Sequence, residues 1–286
     1  MKRKRLTALI PAHNDDYTLD FCLHSIVDHF DEIVVLDDCS TDHTPDICLD
    51  LARRHGHVRY LRHEGEQQLG WIEARNRLMA ETDSDWLFFL DSDDVLCEYN
   101  ARLLREIAEG KAPIVRLQLC ELWGDFCHTT GRLRHYDRCH VFYNRGRLMN
   151  GVWGGGSAAR LQHDAGMHPA RGPGPLLFHI KGVKPDRRLV ERGAMRAWMR
   201  AGRPGRLEDF AGLADMSEEE IHARAMNMLL HSKQDRIRLF DGNPLPPKVI
   251  LDAPTRFDML YDEGAGGPVD RADDGWRPIS WRNETP

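Results

Sequence analysis

The chain lacks the long apolar segments and paired cysteines that mark membrane proteins, disulfide-rich proteins and zinc modules. No apolar stretch approaches the roughly 18 residues of a membrane-spanning helix. The apolar run at residues 6–12 is too short for a signal peptide, and the residues after it do not fit one. The seven cysteines are scattered without a CxxC pair, which favours reduced thiols over disulfides or structural zinc. We therefore expect a cytoplasmic protein without a membrane span.

Excess positive charge and the common nucleotide-binding loops are missing as well. Lysine and arginine number 39 against 45 aspartates and glutamates, a formal net charge of −6, so nucleic acid is not an expected partner. Neither GxGxxG nor GxxxxGK[ST] occurs, which argues against a dinucleotide-dependent dehydrogenase and a P-loop enzyme.

The first hundred residues alternate between short apolar runs and amphipathic segments. Predicted strands lie at residues 6–11, 32–36, 58–61 and 86–90, with predicted helices at 17–29, 44–55 and 70–79 between them. This alternation predicts the α/β class, with a mainly parallel sheet flanked by helices.

The pattern is less regular after the first hundred residues. We predict helices at 98–109, 186–199 and 217–230, strands at 114–119, 132–136, 140–143 and 176–180, and a loop at 171–175 because of its glycines and prolines. The predicted main domain covers residues 1–185, with halves 1–120 and 121–185. Residues 186–286 form a predicted helical appendage and extended tail.

An acidic cluster, Asp91-Ser92-Asp93-Asp94, follows the predicted strand at residues 86–90 directly. The carboxyl ends of strands in open α/β sheets are where ligands bind. On an extended chain, side chains two residues apart point the same way, so Asp91 and Asp93 would hold one hard cation between them. The alternative is an ordinary solvated turn.

Four motifs together resemble family 2 glycosyltransferases with the GT-A (Rossmann-like) fold: IPAHND (10–15), LDDCSTD (36–42), GWIEARN (70–76) and FLDSDD (89–94). The resemblance implies a metal-dependent, inverting glycosyltransferase that takes its sugar from a nucleotide-sugar, foremost a UDP-sugar. The implied acceptor is a small molecule, a lipid-linked glycan or a carrier-bound group.

The same resemblance implies a nucleotide pocket. It contains Pro11, Ala12, Asn14 and Ser92, together with Asp38, which accepts a hydrogen bond from the base. Arg75 matches the position that reaches the ribose or diphosphate. The alternative for Arg75 is a surface arginine that pairs with Glu73 or Glu81.

The implied cofactor is Mn²⁺ or Mg²⁺, held by Asp91, Asp93 and His179. The alternative for His179 is a packed strand histidine. Lys181 and Lys184 are weaker candidates for phosphate contacts.

The catalytic base is the weakest match to the family pattern, because residues 153–157 carry no carboxylate where related transferases often have one. Asp164 is the candidate base, with His163 as a substitute. Glu121 and Asp125 are less favoured candidates. Alternatively, an amine acceptor would scarcely need a base.

Two competing functions remain open. A noncatalytic nucleotide-binding or sugar-binding protein could keep the fold without the base. A nucleotidyltransferase would normally show a basic, glycine-rich loop after the first strand, whereas residues 12–16 are acidic and lack glycine.

Overall fold

The computed structural model describes a large part of the chain in two compact units. The described residues are 3–65, 68–97, 101–124, 126, 128–135, 141–144, 152–154, 160–162, 169–180, 182–200, 215–233 and 238–239. Of these, the residues up to 120 and between 133 and 179 form the first unit, and those between 121 and 132 and from 180 to 239 form the second.

The strands and helices of the first half follow the predicted alternation. The strands are β1 (Leu6–Ala12), β2 (Glu32–Asp37), β3 (Val58–Arg62), β4 (Trp86–Phe89), β5 (Asp94–Leu96) and β6 (Ile114–Leu122). The helices are α1 (Asp16–Ile26), α2 (Thr44–Arg54), α3 (Trp71–Ala80) and α4 (Arg102–Glu109).

Shorter strands and two longer helices make up the rest of the described chain. The strands are β7 (His128–His135), β8 (Val141–Asn144), β9 (Val152–Gly154), β10 (Arg160–Gln162), β11 (Ala170–His179) and β12 (Arg238–Leu239), and the helices are α5 (Asp186–Arg200) and α6 (Glu218–Lys233). None of the helices in the described part of the chain has both the length and the apolar character needed to cross a membrane.

The sheet of the first unit has the strand order β6-β8-β4-β1-β2-β3. Strands β4, β1, β2 and β3 are parallel, whereas β8 runs antiparallel to both β4 and β6. The prediction of a mainly parallel sheet flanked by helices is therefore confirmed. The chain runs from β1 outward to β2 and β3 and then returns to β4 on the other side of β1, so the strand order reverses between β1 and β4.

Both faces of the parallel strands are covered, because successive side chains point to opposite faces. Ala8 and Ile10 pack in the cluster that contains apolar residues of α1, α2 and α4. Leu9, between them, packs on the other face with Ala74 and Leu78 of α3. Helix α3 therefore covers one face of the sheet near the reversal of strand order.

The prediction of a loop at residues 171–175 is wrong, since these residues lie within β11. A Cβ atom on Gly172 would lie 3.0 Å from the carbonyl oxygen of Arg116 in β6, so a larger residue there would push the two strands apart by a few tenths of an ångström. Composition alone does not distinguish a strand with glycine at a close contact from a loop.

In the second unit, α5 and α6 share an apolar cluster that includes Val190, Ile221 and Ala225. Helix α6 begins with the predicted capping pattern. The Ser217 amide and hydroxyl donate to Glu220 Oε2 at 2.7 and 2.9 Å, and the Glu220 amide donates back to Ser217 Oγ at 3.2 Å.

The fully buried carboxylate of Asp37, at the end of β2, accepts two hydrogen bonds, and Arg62 Nη1 lies 4.0 Å from its Oδ2. The carboxylate accepts the Ser40 amide at 2.8 Å and the Tyr60 hydroxyl at 2.8 Å. Burial, and then the bond to Asp37, raises the pKa of Tyr60, so the phenol stays a donor across the physiological range.

We predict that Tyr60→Phe lowers the free energy of unfolding by about 1–3 kcal/mol, because one oxygen of a buried carboxylate loses its donor. Urea unfolding at neutral pH measures this change. A free energy equal to that of the wild type would mean that the bond contributes nothing to stability.

Candidate functional site

The candidate site lies at the carboxyl ends of β1, β2 and β4, where the strand order reverses. In open α/β sheets this position is the crevice that binds ligands. The loops after these three strands carry most of the predicted site residues, and the sheet brings them to one edge.

The loops after β1 and β2 are joined through Asn14, which adopts a positive φ of 50°. Its amide donates to Ser40 Oγ at 2.9 Å, and its Oδ1 accepts the Thr41 amide at 2.8 Å. Pro11 and Ala12 are buried at the end of β1. The structure therefore places these three predicted pocket residues together, with Asn14 fixing the relation between the two loops.

Asp38 anchors the segment that leads into α3. Its Oδ1 accepts the Leu69 amide at 2.8 Å and its Oδ2 accepts the Gly70 amide at 3.0 Å. The carbonyl of Asp38 accepts Nδ1–H of His13 at 2.7 Å, which leaves His13 Nε2 to accept the side-chain amide of Gln68 at 2.7 Å. Each carboxylate oxygen keeps a second lone pair, so the predicted contact with a base stays a prediction.

The acidic cluster forms a turn. The Asp94 amide donates to the Asp91 carbonyl at 3.0 Å, and the Asp91 amide donates to Asp94 Oδ2 at 3.1 Å. The premise that Asp91 and Asp93 share one side of an extended chain is therefore wrong. A short polar side chain that bonds its own backbone bends the chain here instead.

Asp93, Asp94 and His179 form a compact group of buried side chains. The register of β11 against β5 places His179 opposite Asp94. His179 Nδ1 lies 2.8 Å from Asp94 Oδ1 and 3.5 Å from Asp93 Oδ1, and the ligand atoms of the three residues lie within 4.8 Å of one another. Two carboxylates and an imidazole are a donor set that suits Mn²⁺ or Mg²⁺.

The sequence did not indicate that Asp94 lies beside His179, because this contact depends on a strand pairing between residues far apart in the chain. His179 is buried, as in the packed-histidine alternative, but its ring faces carboxylates rather than only apolar side chains.

Ser92 and Asp15 link the acidic turn to the loop after β1. The Ser92 hydroxyl donates to Asp15 Oδ2 at 2.6 Å, and the Asp15 amide donates to Thr44 Oγ1 at 2.9 Å. Both side chains are buried. Ser92 therefore bonds protein rather than lying open to a ligand, and its predicted nucleotide contact stays a prediction.

Beneath the acidic turn lies the thiol of Cys22. Burial raises its pKa well above the ordinary value, and the negative charges of Asp94, Asp93, Asp91 and Asp15 raise it further. Four carboxylates thus act on one neutral thiol, which shows how densely negative charge is packed at this edge of the sheet.

Arg75 is buried and its Nη2 donates to Asp91 Oδ1. The alternative of a surface arginine paired with Glu73 or Glu81 is therefore wrong. Glu81 instead pairs with Arg59 at 3.2 Å. Among the described residues, Asp91 is not part of the group formed by Asp93, Asp94 and His179, whose ligand atoms all lie within 4.8 Å of one another.

A second group of potential metal ligands is formed by Asp38, Cys39 and His63. The Cys39 thiol donates to the carbonyl oxygens of His63 and Gly65 at 3.5 and 3.3 Å, and Asp38 already accepts two amides. This group offers one carboxylate beside a soft thiol, whereas the group around His179 offers two carboxylates, so the second group is the poorer fit to a hard cation.

Of the remaining predicted residues, four are not described and two belong to the second unit. Asp164, His163, Asp125 and Lys181 are outside the described residues. Glu121 and Lys184 are buried in the second unit, where Glu121 Oε2 accepts the Thr130 hydroxyl at 2.9 Å.

Comparison with known proteins finds a family model that matches the N-terminal part of the chain. Residues 7–118 match the model described as glycosyl transferase family 2. This segment contains β1 to β4, the acidic turn and Arg75, whereas His179 and Asp164 lie beyond it. Over these residues the chain is similar to family 2 of the glycosyltransferases.

Curated relatives match over a segment of similar length. The SPbeta prophage-derived glycosyltransferase SunS of Bacillus subtilis is 29% identical over 103 residues, which is 36% of this chain and 23% of the relative. Glycosyltransferase GlyA of Streptococcus pneumoniae is 31% identical over 114 residues, 38% of this chain and 16% of the relative. The chain thus spans less than a quarter of either relative.

Among solved structures, the mannosyltransferase PcManGT from Pyrobaculum calidifontis, in complex with GDP-Man and Mn²⁺, aligns with a TM-score of 0.49 and 16% identity. The alignment covers 82% of this chain and 74% of that chain.

We predict that His179→Ala weakens Mn²⁺ binding by at least about tenfold, because the group around Asp93 loses its imidazole. Electron paramagnetic resonance of free Mn²⁺ measures the affinity. His63→Ala, which alters the second group, is the matched control and is expected to bind Mn²⁺ as the wild type does. The reverse result would place the cation at Asp38, Cys39 and His63.

Proposed function

We propose that this protein is a metal-dependent, inverting glycosyltransferase that moves a sugar from a nucleotide-sugar, foremost a UDP-sugar, to an acceptor hydroxyl or amine. The acceptor is a small molecule, a lipid-linked glycan or a carrier-bound group. The family 2 match over residues 7–118 supports the reaction class, and the group of Asp93, Asp94 and His179 supports the cation.

The observation that carries this proposal is the buried acidic group at the reversal of strand order. Buried carboxylates are costly unless cations or hydrogen bonds compensate them. The side chains of Asp93 and Asp94 are at most 1% exposed, beside the imidazole of His179. A bound Mn²⁺ or Mg²⁺ would offset this charge and also supply positive charge to the diphosphate of a donor.

In the proposed reaction, the acceptor oxygen or nitrogen attacks C1 of the donor sugar from the side opposite the diphosphate. The bond between C1 and the diphosphate oxygen breaks, and a nucleoside diphosphate leaves with the bonding electrons. The acceptor loses one proton, which Asp164 takes in our proposal.

We predict that the protein releases nucleoside diphosphate from one member of a panel of UDP-, dTDP- and GDP-sugars in the presence of Mn²⁺. EDTA is expected to abolish the release, and added Mn²⁺ to restore it. Asp93→Ala is expected to lower the rate by roughly two to three orders of magnitude, because a metal ligand is lost.

The matched control is Asp83→Ala, since Asp83 lies before β4, at the other end of that strand from the acidic turn, and its side chain is 94% exposed. Full activity of Asp93→Ala, or activity that persists in EDTA, would remove the metal from the mechanism. A nucleotide-dependent rise in melting temperature without any release of nucleoside diphosphate would indicate a noncatalytic binding protein.

A separate variant tests the base. We predict that Asp164→Asn lowers kcat with a hydroxyl acceptor by about 10²–10⁴-fold, while the affinity for the nucleotide is unchanged. His163→Ala, one residue away, tests the substitute base. Full activity of Asp164→Asn together with a loss in His163→Ala would assign the proton transfer to the histidine.

A further inference from the structure

Arg75 and Asp91 differ in how much of each side chain a ligand could reach. The side chain of Arg75 is 2% exposed and that of Asp91 is 13% exposed. The guanidinium carbon of Arg75 also lies 5.7 Å from the centre of the Trp71 ring, so an aromatic side chain of its own helix lies close to it. A donor in the crevice therefore has more access to Asp91 than to Arg75.

The positions of both residues are fixed by the backbone. Helix α3 carries Arg75, and the carboxylate of Asp38 holds the two amides just before that helix. Asp91 lies in the acidic turn. Hydrogen bonds between its backbone and Asp94 close this turn. The ion pair therefore joins a fixed helix to a fixed turn, and the orientation of Asp91 depends on the guanidinium.

We infer that Arg75 is a positioning residue that acts on donor binding through Asp91, and that it does not itself bind the diphosphate. This inference rests on the proposed function. Asp91 is the member of the pair that meets the donor, while Arg75 holds the Asp91 carboxylate in one orientation. A guanidinium suits this task because its planar donors fix the geometry of a carboxylate.

The test is a double-mutant cycle with Arg75→Gln, Asp91→Asn and the double variant. Isothermal titration calorimetry with UDP in the presence of Mn²⁺ measures the dissociation constant of each. We expect each single change to weaken binding by about tenfold, as for the loss of a hydrogen bond to a charged group. The double variant should bind within about twofold of Asp91→Asn, because neighbouring residues that act as a unit are not additive.

If the two residues contacted the nucleotide independently, their losses of affinity would multiply. The double variant would then bind about a hundredfold more weakly than the wild type, which overturns the inference. Arg77→Gln, two residues further along α3, is the control for loss of a positive charge on this helix and should leave UDP binding unchanged. Its guanidinium lies against His63, 3.4 Å from Nδ1.

Removing either Arg75 or Asp91 alone leaves the other charge without this ion pair, which can unfold the protein. Urea unfolding of every variant checks for this. If Arg75→Gln fails to fold, the comparison of the double variant with Asp91→Asn still decides, since the inference requires their affinities to agree.

The wild type separates this inference from the proposed function. UDP binding by the wild type with additive losses in the variants contradicts the role of Arg75 and leaves the proposed function standing. A wild type that binds none of UDP, dTDP and GDP in the presence of Mn²⁺ overturns both.

Discussion

The concentration of negative charge at one edge of the sheet is the constraint on which the site depends. The carboxylates of Asp15, Asp91, Asp93 and Asp94 all act on the thiol of Cys22. Each of them would be costly to bury without compensation, since transfer of a charge out of water is unfavourable. The surrounding protein compensates them by different means.

Asp15 accepts a hydrogen bond from the Ser92 hydroxyl, and Asp91 forms an ion pair with the guanidinium of Arg75. Asp94 accepts a hydrogen bond from the Asp91 amide and contacts the ring of His179. Asp93 lies next to His179 at 3.5 Å. In the proposed function a divalent cation offsets the charge that remains at this pair of carboxylates, and the diphosphate of the donor then meets a positive ion rather than four anions.

Helix α3 connects the two halves of the site. Its start is held by Asp38, at the end of β2, and Arg75 within it pairs with Asp91, after β4. Ala74 and Leu78 of the same helix pack against the sheet. The helix therefore links the packing on the sheet to the acidic turn, whose geometry depends on packing and hydrogen bonds made some distance from it.

Local patterns predicted the parallel part of the fold well, because each βα unit is formed by residues close together in the chain. The apolar runs of β1, β2 and β4 and the acidic residues after them indicated both the sheet and the location of the site. The strand at residues 171–175 could not be predicted, because it depends on the close approach of Gly172 to the backbone of Arg116.

Contacts between residues far apart in the chain could not be predicted from the sequence for the same reason. The pairing of His179 with Asp94 depends on the register of β11 against β5. The ion pair of Arg75 with Asp91 depends on the packing of α3, and local spacing suggested Glu73 or Glu81 as partners instead. A repeating pattern reports which face of an element is buried, but it does not report which distant side chain lies opposite.

The most direct test of this account is the anomalous scattering of manganese in crystals grown with Mn²⁺ and UDP. The account predicts one strong peak bonded to the carboxylate of Asp93 and the imidazole of His179, with the diphosphate of UDP against it. A peak at Asp38, Cys39 and His63, or UDP bound in the crevice without manganese at Asp93, would contradict it.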